Sequence, residues 1–371
     1  MVKSKRIYQI DLFRFIAALS VVFYHYFFRG YAADEMSDLN FEDVGGLFKY
    51  GYLGVDLFFI ISGFVITLSI NKRSISKFII SRITRLYPIY WMCVSLTFLV
   101  VILFGSPRYH AQLVQYILNL TMFHNYLGIE SIDGVYWTLF VEMKFYIFVI
   151  GSYLIINKIK RIDLDYLVYF WTSLSLLFLF MNNIYILKVI NFFFILNWSS
   201  YFIAGIVFYQ IYNRGISLQY FFLLMILFLL SLHYAFLKIE FYEMQYNAPF
   251  SKLIGGGIIF IFYLIMLLVA TNKLKSINSP KLISLGMLTY PLYLIHQIIG
   301  FIILNNLGIY FNKYVVVAAT LIVMLVVSYL LSKYYEPYFS NYLKIKLEKF
   351  SAKYKNKKIK KIKNLNNFFF I

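Results

Sequence analysis

The feature that most constrains this chain is a series of apolar blocks, each about 18 to 24 residues long, repeated along nearly its whole length. As an α-helix, a block of that length crosses the roughly 30 Å hydrocarbon core of a bilayer. Lipid offers no hydrogen-bond partner, so every backbone N–H and C=O must be satisfied within the segment. A strand barrel would show short alternating runs instead. The expected fold is therefore all-α, a polytopic integral membrane bundle. Spans are expected over residues 7–28, 50–70, 83–104, 136–156, 164–181, 189–211, 218–237, 250–271, 282–304 and 314–332, about ten in all. The first block keeps polar residues and no small-residue cleavage site follows it, so it reads as a retained span and not a removable leader.

Composition excludes the soluble classes. Hydrophobic residues make up 61% of the chain, charged residues 14%, and the mean hydropathy is +0.73. The net charge of +19 does not point to nucleic acid, because Lys and Arg near span ends are the ordinary topology signal. The single cysteine, Cys93, lies in an apolar run; it has no partner for a disulfide and offers no metal cluster.

Basic residues fall on alternate connections. They occur in "KSKR" before the first span, "NKRSISK" with "SRITR" after the second, "KIKR" after the fourth, "YNRG" after the sixth and "NKLKSINSPK" after the eighth. The opposite connections, such as "ADEMSDLNFEDVGG" and "KIEFYEMQYNAP", are acidic or mixed. The charge rule then places both termini in the cytoplasm. Residues 1–335 form the transmembrane domain, and residues 336–371 a basic cytoplasmic tail. Such a tail suits the anionic inner leaflet, where each basic residue adds about 1 kcal/mol, so membrane lipids are expected partners. The more polar segment 108–130 reads as an amphipathic helix and loop on the outer face.

Ionisable residues inside spans are costly and normally face protein or water. In "DLFRFIAALSVVFYHYFF", Asp11, Arg14 and His25 share one side of the first helix. Arg14 and His25 are roughly 16 Å apart along it, and Asp11 lies three residues before Arg14, within reach of its charge. The second span brings Asp56 below the outer surface and Gly63 on nearly the same face, where a glycine suits close helix packing. Arg82 and Arg85 point one way from the inner end of the third span, with Lys72, Arg73 and Lys77 nearby; paired guanidinium groups suit phosphate oxygens. Glu142 is expected in the outer part of the fourth span, with Lys144 on the opposite side. In the ninth span Pro291 is expected to kink the helix, with His296 beyond it in the outer half. A cationic inner mouth thus lies below an acid/base cluster that opens outward.

The segments "IDLFRFIAALSVVFYHY", "GVDLFFIISGFVIT", "SRITRLYPIYW", "DGVYWTLFVEMKFY" and "TYPLYLIHQ", in this order over residues 8–300, resemble the acyltransferase type 3 family of integral-membrane O-acyltransferases. The resemblance implies transfer of an acyl group, most often acetyl, from cytoplasmic acyl-CoA to a hydroxyl on an extracytoplasmic or membrane-associated acceptor, usually a sugar or polysaccharide. It maps the family's arginine–histidine pattern onto Arg14 and His25, its arginine pair onto Arg82 and Arg85, and its tryptophan–glutamate segment onto Trp137 and Glu142. Many members have a second acidic residue and a glutamine after that glutamate; Met143 and Lys144 stand there in this chain.

Together these readings assign His25 as the base that relieves the acceptor hydroxyl of its proton. Glu142, and next Asp56, are the candidates to orient it. Arg82 and Arg85 are expected to hold the phosphates of acetyl-CoA or another acyl-CoA, with Arg14 between them and the base; no metal is expected. Trp137 and His296 are further site candidates. Direct transfer and an acyl-enzyme route both remain open. The other functional readings are an acyltransferase for a lipid or small metabolite, and a transporter of glycan precursors. The resemblance implies a bacterial inner membrane as the setting, and the sequence carries no sign of oligomeric state.

Overall fold

The computed structural model of the chain describes residues 6–33, 36–70, 74–158, 163–181 and 184–368, with side chains at all of these except 157–158 and 354–368. Lys3, Lys5, Lys72, Arg73, Lys160, Arg161 and the last three residues of the tail lie outside the described residues. Among those described, the regular structure is helical, with no strand. Eight helices are long and apolar enough to cross a membrane: Gln9–Ala32, Glu42–Ile70, Ile75–Phe104, Gly134–Ile156, Leu164–Met181, Leu218–Tyr246, Lys252–Ala270 and Lys313–Lys353. Two bent pairs, Tyr185–Phe194 with Leu196–Arg214 and Pro280–Ile295 with Ile298–Gly308, bring the number among the described residues to as many as ten, counting each pair as one span. They are numbered here as spans one to ten in chain order. This is a multi-pass membrane protein.

Burial sorts the spans. In the second span 78% of the apolar stretch is buried inside the protein, against 33% in the fifth and eighth, so the second sits at the centre and the others face lipid. Small residues let the central helices meet. A Cβ on Gly63 would lie 2.1 Å from the Phe202 carbonyl oxygen, and one on Gly205 would lie 2.0 Å from that of Ile60. The second and sixth spans therefore touch backbone to backbone, as expected for Gly63. Gly286 of the ninth span leaves room for the Asp11 side chain of the first, whose carboxylate a Cβ there would meet. On the outside, Phe180 and Leu253 are at least 80% exposed, as side chains solvated by lipid are.

Several spans depart from the expected boundaries. The seventh does not stop at residue 237 but runs as helix to Tyr246, which puts Lys238 inside it. In the tenth, a π-helical turn at Leu331–Tyr335 passes directly into helix Glu336–Phe368, so no break separates domain from tail. Segment 108–130 holds a short helix, Leu113–Asn119, with exposed Leu113, Val114 and Ile117.

The largest correction concerns the ninth span. Pro291 sits within continuous helix Ile283–Ile295, and the 70° bend falls after it, at His296–Gln297. Hydrogen bonding explains both facts. Pro291 has no N–H to offer the carbonyl of Met287, and the Ser332 hydroxyl donates to that carbonyl instead, at 2.8 Å. At the bend, the Ile298 N–H donates to the Asp133 carboxylate (3.0 Å) and the His296 carbonyl accepts from Tyr26 (2.8 Å). These side chains replace the helical partners that the bend removes.

Candidate active site

Three cavities lie in series through the bundle. The first, about 520 Å³, opens at the basic end and is lined by Arg6, Asp11, Ser69 and Glu336 among others. It shares Arg14, Arg82, Arg85, Gly286 and Tyr290 with a middle cavity of about 90 Å³. The middle cavity shares Val55 and Tyr293 with a third, of about 340 Å³, which contains His25. Guanidinium groups and imidazole thus line neighbouring cavities, and Val55 and Tyr293 form the wall common to the middle and third ones. The hydroxyls of Tyr293 and Thr138, 3.0 Å apart, hold one side of that common wall.

At the basic end, Arg14, Arg82 and Arg85 are brought together as expected. The Nε of Arg82 is buried with no hydrogen-bond partner among the described residues, while its guanidinium lies 5.5 Å over the Phe78 ring. The charge of Asp11 does act on Arg14, but its direct hydrogen bonds go elsewhere. Its carboxylate pairs with Arg6, at 2.9 and 3.0 Å, because Arg6 reaches back over the start of the helix. Arg14 lines both the first and the middle cavity, within the field of Glu142.

Glu142 is placed with the arginines, lining the middle cavity, and not beside His25. Its Oε1 accepts from Ser62 (2.9 Å) and Tyr146 (2.6 Å). Tyr146 follows Glu142 by one helical turn, and two hydroxyl donors together with nearby guanidinium charge satisfy this half-buried carboxylate. Lys144 does face the opposite way: its ammonium donates to the Phe192 carbonyl (2.9 Å) and sits 4.0 Å from that ring's centre. Asp56 is wholly buried and is not the partner of His25 either, since its Oδ1 takes the Lys238 ammonium at 2.8 Å.

The partner of His25 is His296. A π-helical turn, His25–Arg29, interrupts the first span where His25 stands, a device common at functional sites. His25 Nδ1 lies 2.8 Å from the Val21 carbonyl oxygen and 3.2 Å from His296 Nε2. His296 Nδ1 lies 2.8 Å from the Tyr293 carbonyl oxygen and 3.2 Å from that of Leu292. A carbonyl oxygen only accepts, so both Nδ1 atoms carry hydrogen, an assignment made from their partners. In the neutral pair His296 Nε2 is then an acceptor for the shared His25 N–H, and His25 keeps its Nε2 lone pair for the cavity. A histidine with this tautomer can take a proton at Nε2. His296 is fully buried and is held through its own carbonyl by Tyr26.

A family model described as "Acyltransferase domain" matches residues 7–333, which include Arg14, Arg82, Arg85, Glu142 and both histidines. The chain belongs to the acyltransferase type 3 family. Among type 3 acyltransferases and other curated proteins, it is 29% identical over 142 residues to a protein of Acidianus two-tailed virus named as an acetyltransferase, ORF330. That match covers 38% of this chain and 39% of the relative. It is 26% identical over 157 residues to Nodulation protein 10 of Rhizobium leguminosarum bv. viciae, covering 37% and 41% of the two chains. Over 53 residues it is 42% identical to the exopolysaccharide production protein ExoZ of Rhizobium meliloti, covering 14% and 17%. The chain therefore spans about two fifths of the length of the first two relatives. No solved structure matches this type 3 acyltransferase chain.

The resemblance located the arginines, His25, Trp137 and Glu142, and the structure adds residues that sequence reasoning passed over. Lys238 was counted with an outer connection; its signal was Asp56, a buried carboxylate that calls for a counter-charge. Asp133 caps the start of the fourth span, accepting from the Val135 N–H at 3.1 Å as well as from Ile298. An aspartate just before "GVYW" is a helix-start signal. Trp198 joins Trp137 in the third cavity, with ring centres 5.6 Å apart.

Proposed function

We propose that this protein transfers an acyl group, most simply acetyl, from cytosolic acyl-CoA to a hydroxyl of a saccharide on the far side of a bacterial inner membrane. The observation that carries the proposal is the series of three cavities between the guanidinium cluster and the His25–His296 pair. Arg82 and Arg85 bind the phosphates of CoA at the basic end, by charge-assisted and partly bidentate hydrogen bonds. The pantetheine arm then passes Arg14 and the middle cavity. Arg14 and His25 are eleven residues apart on one span, so the arm has to cover roughly 16 Å. The acceptor occupies the third cavity from the other side. The word "exopolysaccharide" in the name of ExoZ supports a saccharide acceptor.

In the transfer, Nε2 of His25 takes the proton of the acceptor hydroxyl as the oxygen attacks the thioester carbonyl carbon. The C–O bond forms, the tetrahedral centre collapses, and the C–S bond breaks. The leaving thiolate recovers the proton from Nε2, which returns His25 to its neutral form. While His25 is charged, its Nδ1–H is shared between the Val21 carbonyl and His296 Nε2, so His296 takes the orienting place expected of a carboxylate. Glu142, among the arginines, fixes the hydroxyl-lined wall of the thioester route.

The test uses the purified chain in nanodiscs with radiolabelled acetyl-CoA and candidate glycans. Wild type should form a glycan ester, and His25→Ala, at equal abundance, should lose about 10²- to 10⁴-fold in rate, the range for removing a general base. An equal rate for the two proteins would refute the assignment of the base.

A further inference from the structure

Resting on the reading above, we infer that the third cavity is a subsite for one sugar ring, in which Trp137 and Trp198 form a stacking wall and Lys238, held by Asp56, selects the acceptor. At about 340 Å³ it is of the size that encloses a small molecule. One wall is aromatic: the indoles of Trp137 and Trp198 lie 5.6 Å apart at 40° to each other. The electron-rich faces of such rings suit the slightly positive C–H face of a pyranose. Trp198 reaches this position because the sixth span bends by 44° at Ile195, a β-branched residue held at φ +48. That conformation is unfavourable for isoleucine, and strain of this kind is found where function fixes the backbone.

The remaining wall is built for hydroxyl groups. The Lys238 ammonium has three donors, and its bond to Asp56 uses one. The lysine side chain is 23% exposed and lines the cavity, while the Asp56 side chain behind it is 0% exposed. Asp56 therefore positions Lys238 and does not itself meet the ligand. An apolar pair would fill the same place without desolvating two charges, so stability is not the evident use of this one. Tyr52 also lines the cavity, and its hydroxyl is buried just behind the wall with no hydrogen-bond partner among the described residues. Together these groups address the hydroxyl-bearing edge of a ring whose C–H face rests on the indoles. One hydroxyl is then presented to Nε2 of His25.

The experiment measures acetyl transfer from acetyl-CoA to methyl hexopyranosides, neutral and uronic, with 1-hexanol as an acceptor that has a hydroxyl but no ring edge. The variants are Trp198→Ala, Trp198→Phe, and Asp56→Asn combined with Lys238→Met, which removes both charges and leaves no orphaned carboxylate. Trp198→Ala and the double variant should raise KM for the best glycoside at least about tenfold, the loss expected for charge-assisted hydrogen bonds or a stacking surface. KM for acetyl-CoA should stay within about twofold, and the preference for glycoside over 1-hexanol should fall by a similar factor. Trp198→Phe should recover most of the loss. Unchanged glycoside KM in both, or an unchanged preference over 1-hexanol, would overturn the subsite. Should wild type transfer no acetyl group, the activity reading fails by itself. The subsite is then read from quenching of tryptophan fluorescence by the same glycosides: quenching that disappears in Trp198→Ala supports it, and its absence in wild type overturns it.

Discussion

Arg82 shows how one residue exposes a site. Its Nε is a buried donor with no acceptor among the described residues, a state that costs about 1 to 3 kcal/mol unless something completes the bond. The cavity it lines also holds Arg14 and Arg85, so the completing group is expected to be an anion delivered from the basic end. Arg82→Ala together with Arg85→Ala should raise KM for acetyl-CoA by about ten- to a hundredfold, the equivalent of one or two lost charge-assisted bonds, while KM for the acceptor changes little. Lysine at both positions should recover only part, since an ammonium lacks the planar fork that grips two oxygens. Steady-state kinetics with each substrate varied in turn decides it; a KM for acetyl-CoA equal to that of wild type removes the phosphate clamp. At this scale the arginine pair was legible because a spacing of three puts two side chains on one helix face. The partner of His25 was not, because 271 residues separate it from His296 and nothing local records their contact. Glu142 was misplaced for a similar reason: counting turns from a span end gives depth, but not which neighbouring helix the side chain faces.

The ninth span carries the argument at the level of elements. Its bend frees backbone groups next to His296, and Asp133, from the connection before the fourth span, accepts the Ile298 N–H there and the Val135 N–H at its own helix start. One carboxylate therefore ties the fourth span to the half-helix that follows the imidazole. Asp133→Ala should orphan two buried donors, lower stability by about 2 to 4 kcal/mol and reduce kcat more than it raises either KM, because His296 loses its support while both substrate walls remain. Asp133→Asn keeps acceptor oxygen and should retain more of both. Thermal unfolding in detergent beside kinetics of the two variants checks this; alanine kinetics equal to wild type at lowered stability would leave Asp133 a purely structural cap. The sequence pointed to Pro291 as the place of the bend, since proline removes a helical bond. In the folded protein Ser332 supplies the donor at Met287, and the helix passes through the proline intact. Tertiary hydrogen bonds, invisible to local rules, decided where this span breaks.

For the whole molecule the fold class, the number of spans and the close contact at Gly63 followed from hydropathy and from glycine alone, because a membrane leaves so few ways to satisfy a backbone. Orientation follows from a different quantity, the placement of charge. Lys273 and Lys275 lie between the eighth and ninth spans and Lys281 at the start of the ninth, on the same side as the Arg14–Arg82–Arg85 cavity if the spans cross in turn, whereas Asn125 lies in the connection between the third and fourth spans. By the charge rule, the excess of lysine and arginine on the first set of connections is expected to put that side in the cytosol, where acyl-CoA is made available. The transfer proposed above needs this polarity, since a guanidinium cluster facing outward would meet no CoA. It can be tested directly in a Cys93→Ala background, which removes the chain's single, buried thiol. Asn125→Cys and Ser276→Cys both fall on exposed residues of connections. A membrane-impermeant maleimide should label Asn125→Cys in intact cells and Ser276→Cys only after permeabilisation. Labelling in the opposite order would put both the arginines and the basic tail outside, and no transfer from cytosolic acyl-CoA through these cavities could then be maintained.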